Sequence, residues 1–336
     1  MMPNDEKEFD VFGIGNAIVD TLAQVEDQFL QQLALNKGGM ALMDTPHQAT
    51  VLNRLEHHNL QMASGGSAAN TMVAIAQSGG SGVYFGKVAH DTNGEFYRMD
   101  LERLGVCFPV PLAAEASLPT GTCVVLTTPD AERTMCTHLG VSTELSASDI
   151  DLDFLSRSRC SYIEGYLWDA ERPRQACIEV FEQSKRLGVK TAFTFSDPFL
   201  INRFSDDFHR VVDQYCDIVF CNADEAKMFF GEDDIAKCCQ QMAAICDLAF
   251  ITASEDGCFV VDRGAVTQVA GFPIKAIDTV GAGDAFAGGV LFGLTHDYTP
   301  AQAAKWGNYF ASQVVAQIGP RLENENMRKH LAALIS

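Results

Sequence analysis

The stretch Asp278-Thr279-Val280-Gly281-Ala282-Gly283-Asp284 sets a carboxylate beside a turn suited to hold an anion. Two glycines flanking an alanine allow backbone angles that other residues avoid, and the apolar run over 285–294 predicts a buried helix starting close to Asp284. The first turn of such a helix leaves N–H groups unpaired and carries roughly half a positive charge, so Gly281, Ala282 and Gly283 form a candidate anion hole. The same field is expected to keep Asp284 ionised at neutral pH. A carboxylate beside an anion cradle can take the proton of an incoming hydroxyl, as phosphoryl transfer to an alcohol requires. The plainer alternative is a glycine turn with a helix-end aspartate.

Other polar residues interrupt apolar segments where a ligand could use them. Asn16 and Asp20 break the strand pattern of residues 9–25 four positions apart, hence on one side. Gly65 and Gly66 let a ligand lie against backbone before a helix running to about Ser78, and Asn70 faces the same space. Asn222 with Glu225 makes either a helix cap or a pair near phosphate and metal. Two apparent nucleotide motifs fail. Gly13 and Gly15 lack a third glycine, since Ile18 stands in its place, and Gly86-Lys87 lacks the flanking residues of a phosphate loop, since Ser81 and Val88 occupy those positions.

The segment from Asp278 to Phe286 resembles the C-terminal signature of the ribokinase-like (PfkB) family of carbohydrate and nucleoside kinases, and matching blocks extend from Gly13 to Arg321. Its adenosine-kinase members are closest in pattern. The resemblance implies a three-layer α/β sandwich with a mainly parallel central sheet and a small β lid, built from about 16–25, 38–63 and 107–141. It implies ATP and Mg²⁺ as cofactors, Asp284 as proton acceptor, and Asn16, Asp20, Gly65, Gly66 and Asn70 as sugar contacts. Arg133, Asn222, Thr252 and Gly257 are implied at the ATP phosphates and Glu225 at Mg²⁺ through water, while Asn308, the one amide on a small-residue helix face, is a candidate contact for the nucleotide. Met40, Leu42, Met135, Leu139, Tyr166 and Phe199 would give a flat purine an apolar slot. Expected chemistry is therefore phosphorylation of the primary hydroxyl of a ribose-containing substrate, adenosine or a related purine nucleoside. A sugar kinase acting on ribose, fructose or a ketodeoxy acid is the alternative. A non-catalytic nucleoside binder is a third reading, against which the intact Asp284, Gly281–Gly283 and Asn222/Glu225 argue. The resemblance leaves open whether a monovalent cation such as K⁺ is required and whether the protein is a monomer or a homodimer.

Bulk properties narrow the rest. Lys and Arg total 24 against 44 Asp and Glu, a net charge of −20 that disfavours nucleic acid and anionic membranes as partners. No apolar run reaches the ~20 residues of a membrane span and the acidic start is unlike a secretory signal, so a cytoplasmic location is expected. The 11 cysteines are odd in number and partly set in apolar runs, which favours reduced, buried thiols.

The elements needed to position these residues follow from periodicity. One kinase domain over 9–336 is expected after a disordered tail at 1–8. Strands near 160–166, 189–195 and 217–221 alternate with helices near 146–157, 171–187 and 206–214, a βα repeat that predicts a parallel sheet with ligands at the strand C-termini. Residues 122–128 and 133–139 predict a hairpin. Ala285, Gly289 and Gly293 predict close helix packing, as do Ala303, Ala304 and Gly307.

Overall fold

Phe9–Ile14 (β1) is buried throughout, whereas Ile18–Gln24 (β2) mixes buried and partly exposed residues. That change of pattern marks a change of sheet. Gly15, Asn16 and Ala17 carry the chain from a large sheet into a small one, so the single interrupted strand expected over 9–25 is two strands. A Cβ at Gly15 would come within 2.6 Å of Glu164 and 2.7 Å of Ala68, so this crossing has no room for a side chain.

The computed structural model describes residues 7–114, 116–130, 132–322 and 327–335. Of the tail expected at 1–8, residues 1–6 lie outside the described residues, and Glu8 N–H already donates to the Arg157 carbonyl. The remaining strands are Met40–Leu42 (β3), Gln61–Gly65 (β4), Gly82–Phe85 (β5), Val106–Cys107 (β6), Gly121–Thr127 (β7), Arg133–His138 (β8), Ser158–Glu164 (β9), Lys190–Thr194 (β10), Ile218–Asn222 (β11), Leu248–Thr252 (β12), Cys258–Asp262 (β13) and Ala265–Val269 (β14). The large sheet has the order β14-β13-β12-β11-β10-β9-β1-β5-β6 and is parallel except at its β12-β13-β14 edge. The small sheet has the order β3-β8-β7-β2-β4.

Helices cover both faces of the large sheet. Phe193 of β10 is in register with Val219 of β11, one residue before Phe220, so Phe193 and Phe220 point to opposite faces. Phe193 packs on Phe208 of the helix Pro198–Tyr215, and Phe220 on Phe286 of the helix Ala282–Thr295. The latter helix is held on two sides by its small residues. A Cβ at Gly288 would lie 2.5 Å from Ala74 Cβ, and Cβ atoms at Gly289 and Gly293 would meet Gly307 Cα at 2.9 Å and Ala303 Cβ at 2.8 Å. The close packing expected from that spacing is present.

Two helices differ from expectation. The one expected at 206–214 begins at Pro198, because Asp197 accepts a hydrogen bond from Phe199 N–H and proline suits the first helical position. The region 146–157 is broken into the short helical turn Ala147–Asp149 and the helix Leu152–Ser156, each capped by its own side chain, Ser146 and Asp151. All 11 cysteines are free thiols. No helix among the described residues is long and apolar enough to cross a membrane.

The strand period divides the small sheet's side chains. Val124, Leu126 and Cys136 join a separate apolar cluster with Leu30, Val51 and Leu55, while the alternate residues Cys123, Met135 and Thr137 face a cavity against the large sheet.

Candidate active site

The C-terminal ends of β1, β9, β10, β11 and β12 converge on one side of the large sheet, where ligands gather in open α/β folds. Between them and the small sheet lies a cavity of about 440 Å³. Its floor is the turn Val280–Asp284 and its roof the inner face of the small sheet.

The turn is shaped from below. Asp278 Oδ1 accepts a hydrogen bond from Val280 N–H at 3.1 Å, and Oδ2 accepts one from Gly319 N–H at 2.7 Å. Gly281 has φ +77° as helix N-cap, and a Cβ there would meet Pro320 at 2.5 Å, so both conformation and space require glycine. Gly283 differs. A Cβ on it would meet nothing within 4 Å, because that direction opens into the cavity. The first-turn N–H groups of Gly283 and Asp284 have no carbonyl one turn back and are left for a ligand, while Ala282 N–H turns to Thr279 O at 3.3 Å.

Asp284 is held by two donors from the start of the helix Ser67–Ser78. Ser67 Oγ donates to Oδ1 at 2.6 Å and Asn70 Nδ2 donates to Oδ2 at 2.8 Å. Burial pushes the carboxyl above its ordinary range, opposed by these hydrogen bonds and by Arg321. Desolvation works against the helix field expected to keep Asp284 ionised, and the neighbouring donors and cation oppose desolvation. Asn70 lines the cavity and has partners of its own. Its amide donates to Asp284 and accepts from Arg321 Nε at 2.7 Å, so the side chain addresses the carboxylate from the cavity wall.

A second carboxylate anchors the crossing from β1 into the small sheet. Glu164 closes β9 fully buried and takes hydrogen bonds from Asn16 N–H at 2.7 Å, Asn16 Nδ2 at 3.1 Å and Ala68 N–H at 2.7 Å. Burial nevertheless raises its carboxyl to about 7. Asn16 and Asp20 both line the cavity, and Asp20 is likewise raised to about 7, by burial first, with Arg321 and Arg133 pulling it down. Gly66 has φ +100°, and its missing Cβ would lie 2.1 Å from Asn16 O. Gly65 stands behind Asp20, not on the cavity wall, with its carbonyl accepting from Tyr97 OH at 2.9 Å.

All six apolar residues expected around a purine line the cavity: Met40, Leu42, Met135, Leu139, Tyr166 and Phe199. Met40 and Leu42 are 42% and 53% exposed and Phe199 38%, unusual for large apolar side chains with a core nearby. At the other end of the cavity, Asn222 and Glu225 form a reciprocal cap, with Asn222 Oδ1 accepting from Glu225 N–H and Glu225 Oε2 from Asn222 N–H, each at 2.8 Å. Burial raises Glu225 to about 7. No cluster of three metal-ligating side chains occurs among the described residues, so Mg²⁺ fits here only as a hydrated ion carried with phosphate, for which Glu225 Oε1 is the oxygen left over by the cap.

Residues 42–327 match the model of the pfkB family carbohydrate kinases. The chain belongs to this family. It is 25% identical to the adenosine kinase of Saccharomyces cerevisiae, over 94% of this chain and 97% of that one. The adenosine kinase structure from Sinorhizobium meliloti matches with 36% identity and TM-score 0.89, covering 97% of this chain and 99% of the other. A probable sugar kinase from Rhizobium etli CFN 42 matches with 33% identity and TM-score 0.90 over the same shares. The protein is an ATP-dependent kinase with the three-layer fold and small sheet of that family.

In this pfkB-family kinase the cavity joins Asp284, Gly281, Gly283, Asn16, Asp20, Gly66, Asn70, Asn222, Glu225 and Thr252. Besides Gly65 and Ala282, which do not line it, three residues expected at the nucleotide lie elsewhere. Arg133 is buried and ion-paired with Asp278 beside a second hollow, so it is neither a free phosphate contact nor a surface arginine. Asn308 Nδ2 donates to the carbonyls of Val269 and Ala270 at 3.0 and 3.1 Å, which employs it in fixing the end of β14. Gly257 turns the β12–β13 hairpin at φ +90°, and a Cβ there would meet Val269 O at 2.2 Å. Sequence reasoning missed Ser67, Glu164 and Arg321. An acidic residue closing the apolar run Ser161-Tyr162-Ile163-Glu164 was a signal for the second; the other two act across more than 200 residues of chain.

Proposed function

We propose that the protein transfers the terminal phosphoryl group of ATP to the 5′ hydroxyl of adenosine or a closely related purine nucleoside. The observation that carries this reading is the pairing, in one cavity of about 440 Å³, of a carboxylate beside free helix N–H groups with a wall of large apolar side chains. Likeness to adenosine kinases over nearly the whole chain supports the same substrate.

In this reading Asn16 and Asp20 hold the ribose hydroxyls, and Met40, Leu42, Met135, Leu139, Tyr166 and Phe199 flank the base. Asp284 takes the 5′ hydroxyl proton as that oxygen bonds to the terminal phosphorus, whose bond to the bridging oxygen of ADP breaks. The N–H groups of Gly283 and Asp284 hold the phosphoryl oxygens as charge shifts. Mg²⁺ supplies charge neutralisation at the ATP phosphates, and Glu225 and Asn222 would face its water shell. Thr252, beside them, borders the nucleotide.

Phosphorylation of a free sugar is the second reading, favoured by the likeness to a probable sugar kinase and by the partly polar wall at Thr137 and Asn16. ADP release with ATP and Mg²⁺ across a panel of nucleosides and sugars separates the two. The proposal expects adenosine to have the highest kcat/KM and to raise Tm. Turnover with fructose or ribose and none with any nucleoside overturns it.

A further inference from the structure

Arg321 lies in the turn after the long helix Pro300–Val314 and reaches back to the floor of the cavity without lining it. Its Nε donates to Asn70 Oδ1 at 2.7 Å and its Nη1 to Ser64 Oγ at 2.7 Å. Ser64 Oγ donates onward to Asp100 Oδ2 at 2.7 Å. A side-chain amide has one accepting oxygen and one donating nitrogen. With Asn70 Oδ1 taken by Arg321, Nδ2 is the atom presented to Asp284.

The backbone that carries Arg321 is itself fixed. Gln317 Nε2 donates to Arg321 O and Gln77 Nε2 to Leu322 O, each at 2.6 Å. The same turn supplies Gly319 N–H to Asp278 and packs Pro320 under Gly281. One short segment therefore buttresses the anion turn and orients the residue that grips its carboxylate.

We propose that Arg321 is a positioning residue for Asp284, holding the Asn70 amide so that it donates to the carboxylate and supplying a nearby buried positive charge that favours the ionised form. The inference rests on Asp284 being the proton acceptor. Asp284 faces Ser67 and Asn70 from their helix, Asp20 from β2, Tyr162 and Glu164 from β9, Tyr166 just beyond it, and Arg321. Acidic neighbours at Asp20 and Glu164 disfavour a charge on Asp284, and Arg321 opposes them. Arg321 makes no ion pair within 4 Å among the described residues, so its charge acts through space on Asp20, Asp100 and Asp284 together.

The test compares the full chain with Arg321→Met and Arg321→Lys, following kcat and KM for adenosine and ATP across pH, with Tm as a check on folding. Arg321→Met should lower kcat roughly ten- to a hundredfold, by analogy with residues that orient a ligand through another. KM should change less than about threefold, and the acid limb of kcat should move up on the order of one pH unit. Arg321→Lys should return the limb toward its original position while kcat stays low, because a compact ammonium lacks the rigid planar fork that fixes Asn70 and Ser64 at once. A lowered kcat with an unmoved limb, equal in both variants, would assign Arg321 a merely structural role and overturn the proposal. A second readout is independent of turnover: the Asp284 carboxyl titration by ¹³C NMR, assigned with Asp284→Asn, should move to higher pH in Arg321→Met. If the wild-type chain phosphorylates no hydroxyl acceptor, the functional reading fails, and an unshifted titration separately refutes the part given to Arg321.

Discussion

At the floor of the cavity both oxygens of Asp284 already have donors, and one of these, Asn70, is held in turn by Arg321, itself bound to Ser64 and through it to Asp100. At the roof, the Asp20 carboxyl has no hydrogen-bond partner among the described residues, and Met40 and Leu42 stand about half exposed. The difference reflects what each end must do. A group that receives a proton gains from being fixed before substrate arrives, since reorganisation during reaction raises the barrier. A surface that takes up a flat base gains its free energy from being covered, and so must start uncovered.

Substitutions at the two ends should therefore fail in different ways. Asp284→Asn should lower kcat by roughly a thousandfold, within the range for loss of a general base, while adenosine still raises Tm. A drop confined to KM would mean that the floor binds without reacting.

Gly283→Ala tests the collar of N–H groups. The new methyl has open space, and alanine suits a helix better, so Tm should hold or rise slightly. Yet the methyl stands where phosphoryl oxygens are proposed to sit, and kcat should fall about a hundredfold. Equal activity would remove the anion hole from the account.

Leu42→Ala tests the roof. Its exposed side chain contributes little to the core, so Tm should stay within about a degree, and KM for adenosine should rise about tenfold with kcat nearly unchanged. A fall in kcat without a change in KM would contradict the contrast between the two ends.

The smallest effect concerns stability without ligand. Glu164 and Glu225 are both raised to about 7 in the fold from an ordinary 4.5. A raised carboxyl favours the folded state most below its unfolded pKa, and that stability is lost as pH rises through the folded value. Tm should therefore fall modestly between about pH 5 and pH 8. Glu225→Gln, which can keep the cap with Asn222, should flatten part of that decline. A Tm that climbs through this window would show that the two carboxyls do not govern it.

The contrast between floor and roof also tracks what was legible in the chain. The anion turn was readable because glycines, alanine and aspartate lie within four consecutive residues, where local backbone geometry decides their arrangement. The apolar wall was readable from resemblance, and the strand period explains why Met135 and Thr137 share it while Cys136 does not. Arg133 and Asn308 were misplaced because a lone polar residue says nothing about its partner. Asp278 and the β14 carbonyls lie far away in sequence, and each satisfies a group that would otherwise be free for phosphate or base. Glu164 and Arg321 escaped for the same reason, since their importance lies in contacts that only the crossing of two sheets and the return of the C-terminal turn create. The start of the helix at Pro198 escaped because its apolar face is interrupted near Phe204, where the backbone leaves helical geometry.

A crystal structure of the protein with adenosine bound tests the account most directly. The base should lie against Met40, Leu42 and Phe199, with the 5′ oxygen within about 3 Å of an Asp284 carboxylate oxygen and facing the Gly283 N–H. A nucleoside seated elsewhere, or one whose 5′ oxygen points away from Asp284, would contradict it.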